Sequence, residues 1–259
     1  METWCTVNGL KLRAIVWHGD RPGLPIVFLN GVGTSLEIVV PFAERFSGRR
    51  FIALEMPGAG LTPATDMPLP PPILARIVID AVAQLGARHF DLIGLSLGGA
   101  LAQQITLQYR ASVARLILAG TCSGVSMVPH DWTEESLVRS MNPFAAVIDD
   151  LMSDMSGPHL KPLIWPTLTS VANQFASFAG WSSLPFLPLL TAPTLILAGA
   201  RDRIVPAANA LQLSAFIPRA QHHILPDAGH MFPFTEPERT ASHIQRFFEN
   251  APLSEAQAA

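Results

Sequence analysis

The residues Gly94-Leu95-Ser96-Leu97-Gly98 fit the pattern G-x-S-x-G. The apolar run Phe90 to Ile93 before them reads as a strand, and Gly99 to Tyr109 after them repeats apolar residues at helical spacing. A serine at such a sharp strand-to-helix turn is held in strained backbone geometry, and glycines beside it let neighbouring backbone approach without a Cβ clash. The helix N-terminus behind it aims N–H groups and partial positive charge at a developing oxyanion. The chemistry that follows is acyl transfer through Ser96. A hydroxyl is a weak nucleophile until a base takes its proton, so an acid and a base must lie elsewhere in the chain.

On this kind of elbow the acid follows the serine and the histidine comes last. Asp202 lies in Leu197-Ala198-Gly199-Ala200-Arg201-Asp202, just past an apolar run, and His230 ends Asp227-Ala228-Gly229-His230 before the final helical pattern. Both are expected at the carboxyl edge of the sheet with Ser96, where open α/β sheets bind ligands. The competing assignments are a surface Asp202 paired with Arg201 or Arg203, and Asp227 as a brace for its loop. Of the other histidines, His222 and His223 adjoin the last strand, with one expected in the core and one outside. His18 and His243 sit before the motif region and on the last helix. The oxyanion hole needs two N–H donors. Leu97, just after the nucleophile, supplies one, and Val32 in Asn30-Gly31-Val32-Gly33 supplies the other.

The elements that must position these residues alternate. Leu10–Trp17, Pro25–Leu29, Phe51–Leu54, Phe90–Ile93, Leu116–Ala119, Thr194–Ala198 and His223–Leu225 read as strands. Ile73–Leu85, Gly99–Tyr109, Ala207–Phe216 and Glu236–Phe248 read as helices. Strand runs this apolar suit a parallel sheet covered on both faces, and the alternation predicts a mostly parallel, doubly wound α/β sheet. The rhythm breaks over residues 123–190. This predicts a core of 1–122 and 191–259, with 123–190 a hydrophobic helical cap.

With 49% hydrophobic and 14% charged residues, the chain of 259 residues can bury a large core. Its net charge of −3 offers nothing to nucleic acid or an anionic membrane. Two cysteines, Cys5 and Cys122, make neither a disulfide framework nor a zinc site, and are expected as buried thiols. No metal or cofactor motif appears. The start of the chain has no signal-peptide pattern, so a cytoplasmic protein is expected. Pro162 to Ala200 carries no charged residue, but Pro166, Pro185, Pro188 and Pro193 interrupt it, which argues against a membrane span. Its aromatic residues, Trp165, Phe178 and Trp181 above all, are expected to line a pocket for hydrophobic acyl chains. Asp149, Asp150 and Asp154 look like a solvated face of the cap.

These residues together resemble the α/β-hydrolase superfamily along nearly the whole chain. A narrower resemblance rests on Phe28-Leu29-Asn30-Gly31-Val32-Gly33, Gly98-Gly99-Ala100-Leu101-Ala102-Gln103-Gln104, Phe178-Ala179-Gly180-Trp181-Ser182-Ser183 and Pro193-Thr194-Leu195-Ile196-Leu197-Ala198-Gly199. These look like bacterial intracellular poly(3-hydroxyalkanoate) depolymerases. That resemblance implies the triad Ser96, Asp202 and His230, a hydrophobic ester or polyester substrate, and a granule surface as partner. Two positions depart from the pattern: Glu55 stands where Asp is usual, and Leu97 where Trp is expected in medium-chain depolymerases. The rival readings are a carboxylesterase or monoacylglycerol lipase, and a lipid-binding protein that kept the fold without turnover. A dehalogenase would want Asp at position 96.

Overall fold

A computed structural model describes residues 1–129, 164 and 166–251. Glu2–Val7 (β1) and Leu10–Trp17 (β2) pair as an antiparallel hairpin. Its turn residues, Asn8 and Gly9, both have positive φ, 51° and 82°, as a two-residue turn with the twist of the strands requires. β1 was not expected from the sequence. Its burial alternates and it lies at an edge, so it lacks the apolar run that marks the other strands.

The mostly apolar runs make the centre. Ile26–Leu29 (β3), Phe51–Leu54 (β4), Phe90–Leu95 (β5), Val113–Ala119 (β6) and Thr194–Gly199 (β7) are buried at every position. With Ala220–Leu225 (β8) the described residues form an eight-stranded sheet in the order β1-β2-β4-β3-β5-β6-β7-β8. β2 meets β4 antiparallel, and every pairing from β4 to β8 is parallel. The expected α/β-hydrolase sheet, mostly parallel and doubly wound, is what forms. β8 corrects one detail: it is an edge strand, and His222 and His223 are both exposed rather than one being in the core. The His223 ring instead lies against that of His243, tilted by 52° at 4.1 Å between centroids.

Period-two alternation sends successive residues of each strand to opposite layers. Val27, Leu29, Leu92, Leu116 and Ile196 pack with Pro71–Gln84 (α1), Leu97–Gln108 (α2) and Ala208–Phe216 (α4). Phe28, Ile93, Ile117 and Leu197 pack on the other face with Phe42, Phe46, Phe232 and the helix Pro237–Asn250 (α5). Between β6 and β7 the described chain holds Leu168–Ser177 (α3) and a helical turn, Leu184–Leu189. Trp165, Asp149, Asp150 and Asp154 lie outside the described residues. No described helix is long and apolar enough to cross a membrane.

A cluster of charges is buried in this apolar sheet. The Asp91 carboxylate on β5 is fully buried and takes Arg115 Nε and Nη2 at 2.8 and 2.6 Å and Arg49 Nη2 at 2.6 Å. Both guanidinium groups lie over the Phe248 ring, and Arg115 Nη1 also donates to the Phe248 carbonyl at 2.9 Å. Asp91 thus ties β5, β6 and α5 together at the edge opposite Ser96. Removing one partner of a buried pair strands the other charges, at a cost of about 3–5 kcal/mol. Asp91→Ala is therefore expected to lower the unfolding free energy by about that amount in urea titration. A loss below about 1 kcal/mol, the range of exposed pairs, would show that the cluster is solvated and only decorative.

Candidate active site

The site begins with a backbone conformation. Ser96, between β5 and α2, has φ 54° and ψ −120°, and it is one of three non-glycine residues with positive φ among those described. The turn is tight because its neighbours lack side chains. A Cβ on Gly94 would lie 2.4 Å from the Gly98 carbonyl, one on Gly98 2.3 Å from the Leu29 carbonyl, and one on Gly99 2.6 Å from Thr121 Cβ. The Thr121 hydroxyl donates to the Ser96 carbonyl at 2.7 Å, fixing the turn from β6.

Asp202 and His230 meet. His230 Nδ1 lies 2.7 Å from Asp202 Oδ2, with both side chains buried. A carboxylate offers only acceptors, so Nδ1 carries the proton and the lone pair sits on Nε2. Asp202 Oδ1 accepts from the Ile204 and Val205 N–H groups at 2.9 and 2.8 Å, which locks its rotamer. Asp202 is thus no surface acid. Arg201 pairs with Asp227 instead, at 2.7 Å between two largely exposed side chains, so Asp227 does join neighbouring loops. Gly120, φ 51°, stands so close that a Cβ there would be 3.3 Å from His230 Nδ1 and 3.4 Å from Asp202 Oδ2.

Ser96 and His230 line one cavity of about 280 Å3, together with Gly31, Val32, Leu97, Phe178 and Trp181 among others. Its walls are mostly apolar, with Leu95, Met127, Phe175, Ile204, Val205 and Met231. Phe178 and Trp181 pack edge to face at 5.5 Å, and Trp181 Nε1 donates to Gln104 Oε1 at 2.8 Å. Cys122 also lines the cavity and is only half-buried, not the core thiol expected; burial pushes its thiol up, which keeps it neutral. A smaller recess shares Gly31, Val32, Leu97 and Phe178 and continues to Asn30, Thr65 and Asn173.

The two expected oxyanion donors flank the serine. Gly31 packs on it, where a Cβ would come within 3.3 Å of Ser96 Cβ. In the loop after β3, Gly31 N–H is taken by Asn30 Oδ1 at 3.0 Å and Gly33 N–H by Gln174 Oε1 at 2.8 Å. Val32 N–H and Leu97 N–H have no acceptor among the described residues. A half-buried serine hydroxyl, a histidine tied to a carboxylate and two uncommitted N–H groups around one cavity can carry out acyl transfer.

Several residues of this region gave no signal in the sequence. Gln103 is buried on α2, donates to the Gly99 and Cys122 carbonyls and accepts from Ser183 Oγ at 2.6 Å. Glu55, flagged only as an odd residue for its place, is fully buried. It accepts from Leu36, Leu61 and Thr62 N–H groups at 3.2, 3.0 and 3.1 Å and from Arg13 Nη1 at 3.1 Å. Burial pushes its carboxyl up, against the pull of those donors and Arg13. The Glu55 carboxylate lies against Gly60, φ 50°, where a Cβ would collide with it.

Comparison with known proteins agrees with this geometry. Residues 26–243 match the model of the "Alpha/beta hydrolase family". A poly(3-hydroxyalkanoate) depolymerase of Ectopseudomonas oleovorans is 33% identical over 258 residues, spanning 94% of this chain and 90% of its own. A 2-hydroxy-6-oxononadienedioate/2-hydroxy-6-oxononatrienedioate hydrolase of Klebsiella pneumoniae is 28% identical over 85% of this chain and 81% of its own. Among solved structures, an esterase from Exiguobacterium antarcticum superposes with a TM-score of 0.80 at 19% identity, over 96% of this chain and all of the other. By sequence and by fold alike, the chain is a member of the alpha/beta hydrolase family.

Proposed function

We propose that the protein is a serine hydrolase of hydrophobic carboxylic esters, acting on poly(3-hydroxyalkanoate)-type polyester or its oligomers. The observation that carries this reading is the buried 2.7 Å bond between His230 and Asp202 at the wall of an apolar cavity that Ser96 also lines. In the proposed reaction His230 Nε2 takes the Ser96 proton as Oγ attacks the ester carbonyl. The oxyanion of the tetrahedral intermediate rests on Val32 and Leu97 N–H. The C–O bond then breaks, and the imidazolium, stabilised by Asp202, gives its proton to the departing alkoxide. Water, deprotonated by His230, attacks the acyl-enzyme, and Ser96 recovers its proton as the acid leaves.

The segment 123–190 acts in this reading as a cap, with Phe178 and Trp181 lining the acyl space; Trp165, assigned the same role, lies outside the described residues. A cavity of about 280 Å3 is near the small end of ligand sites, which run from about 300 to 1,000 Å3. It suits one medium-length acyl unit, with the rest of a polyester lying outside at a granule surface. The relative named as a 2-hydroxy-6-oxononadienedioate/2-hydroxy-6-oxononatrienedioate hydrolase suggests a second reading, which the lining residues favour less. A dienedioate carries two carboxylates, whereas no Arg or Lys lines either space among the described residues.

Three measurements test this. Ser96→Ala should leave a folded protein with no fluorophosphonate labelling and a rate loss of about 10⁶. Residual activity within tenfold of wild type would remove Ser96 from the mechanism. Asp202→Asn should cost on the order of 10⁴ in kcat, because it disturbs the tautomer and loses the stabilising charge. If Asp227→Asn were the damaging change instead, the acid is misassigned. Across p-nitrophenyl esters of two to twelve carbons, each buried methylene is worth about 0.8 kcal/mol, roughly fourfold. Thus kcat/KM should climb by on the order of a hundredfold from acetate to hexanoate. A monotonic fall beyond acetate would exclude a hydrophobic acyl substrate, and inertness on polyester granules alongside that climb would leave small esters only.

A further inference from the structure

Helix α3 touches both the cavity and the loop that carries Val32. Phe175 and Phe178, at its C-terminal end, line the cavity. One turn away Gln174, nearly buried, makes two bonds to two different loops. Its Oε1 accepts from Gly33 N–H at 2.8 Å, and its Nε2 donates to the Pro57 carbonyl at 2.9 Å. The contact is tightened by shape. Gly33 has φ 64°, and a Cβ there would come within 2.7 Å of Pro166 Cγ and 3.3 Å of Val171 Cγ2. Asn173 Nδ2 donates to the Thr65 carbonyl at 3.2 Å, and Ser170 closes on Gly58, so the same helix clasps the loop after β4.

The consequence concerns a peptide plane. Val32 sits between two glycines, the residue type with the least resistance to backbone rotation. On one side Gly31 is fixed by Asn30, by its packing on Ser96 and by Thr34, whose hydroxyl donates to the Gly31 carbonyl at 2.8 Å. On the other, Gly33 N–H is fixed by Gln174, which belongs to a different part of the chain, 141 residues away. A donor stabilises an oxyanion well only when it is aimed before charge develops.

We propose that Gln174 is a positioning residue that holds Val32 N–H toward the oxyanion by engaging Gly33 N–H, and so links the acyl-facing helix to transition-state stabilisation. The inference rests on the ester-hydrolase reading above, in which Val32 is an oxyanion donor. A residue that merely bolts α3 in place would affect stability and substrate capture; a residue that aims the donor affects kcat and the binding of tetrahedral adducts.

The test compares Gln174→Met with Gln174→Glu in the full chain, each first checked for wild-type fold by circular dichroism. Methionine keeps the size but offers no acceptor of comparable strength, whereas glutamate keeps an oxygen for Gly33 N–H and loses the donor to Pro57. The readouts are kcat and KM on p-nitrophenyl hexanoate, and inhibition by hexylboronic acid and by 1-hexanol. The boronate forms a tetrahedral adduct on a reactive serine, while the alcohol only fills the cavity. Losing one oxyanion donor outright costs about 10²–10³, so a misaimed one should cost roughly ten- to a hundredfold. Gln174→Met is expected to lower kcat and boronate affinity by that factor, with KM and inhibition by the alcohol within about threefold of wild type. Gln174→Glu should recover most of kcat. Where Gln174→Met does not fold, Gln174→Asn, one methylene shorter, takes its place. Unchanged kcat and boronate affinity, or equal losses for boronate and alcohol, would overturn the assignment. A wild-type protein that neither hydrolyses the ester nor binds the boronate would instead remove the ester-hydrolase reading beneath it.

Discussion

The geometry of the site depends on one strained residue. Ser96 at φ 54° costs on the order of 1–3 kcal/mol relative to an ordinary conformation, and it persists only because its surroundings leave no alternative. β5 on one side and α2 on the other are both locked in the core, and their packing more than offsets that cost. The price of the tight turn is a ring of positions that admit only glycine. Gly94, Gly98 and Gly99 bring the end of β5, the end of β3 and Thr121, just past β6, into close contact around the serine. The loop after β3 therefore starts beside Ser96, and Thr121 of the chain after β6 reaches back to the Ser96 carbonyl. Asp202 and His230 arrive from the ends of β7 and β8, so parallel pairing alone carries them to the same edge.

How much of this was legible in the sequence follows from how local each cause is. β3, β4 and β7 could be read because strands buried on both faces need uninterrupted apolar runs, and turn residues delimit them. β1 could not be read that way, although Asn8-Gly9 carried the signal of a hairpin turn. His222 and His223 were misjudged because alternation presumes a covered strand, whereas β8 is an edge. Ser96 was legible because its elbow is a local motif, and Asp202 and His230 because chain order on this scaffold restricts where they fall. Gln174, Gln103 and Glu55 were not. A buried amide or carboxylate takes its role from whichever groups the tertiary fold brings to it, and no spacing in the chain announces Gly33, Ser183 or Leu36 as partners.

The segments that carry the polyester resemblance acquire a physical meaning in three dimensions. Gln103 and Gln104 belong to one of them, and Trp181 and Ser183 to another. They meet through the Gln103–Ser183 and Gln104–Trp181 hydrogen bonds, and Gly124 packs so closely on the Trp181 backbone that a Cβ would lie 2.2 Å from its carbonyl. The nucleophile helix is thus bolted directly to the aromatic wall of the cavity. A likeness confined to these segments is a likeness in how that wall is built, which is narrower than a shared fold and still short of a shared substrate.

Substrate selection then falls to the side chains that the framework leaves facing inward, and Leu97 is the most telling of them. In the proposed reading it contributes an oxyanion-hole N–H, and it lines both the large cavity and the adjoining recess that runs to Asn30, Thr65 and Asn173. The depolymerases that the chain resembles are expected to carry tryptophan at this place. Leucine is smaller than tryptophan, so in the proposed reading Leu97, at the helix N-terminus, leaves more room for an acyl chain beside Ser96. Phe178, which lines both spaces from α3, closes the opposite wall. If the proposed ester-hydrolase reading holds, size at these two positions rather than charge sets chain length, because no Arg or Lys lines either space among the described residues. Burial of methylenes is then the main energy separating one acyl chain from another, and a site of this kind discriminates by fit and length more than by polar recognition.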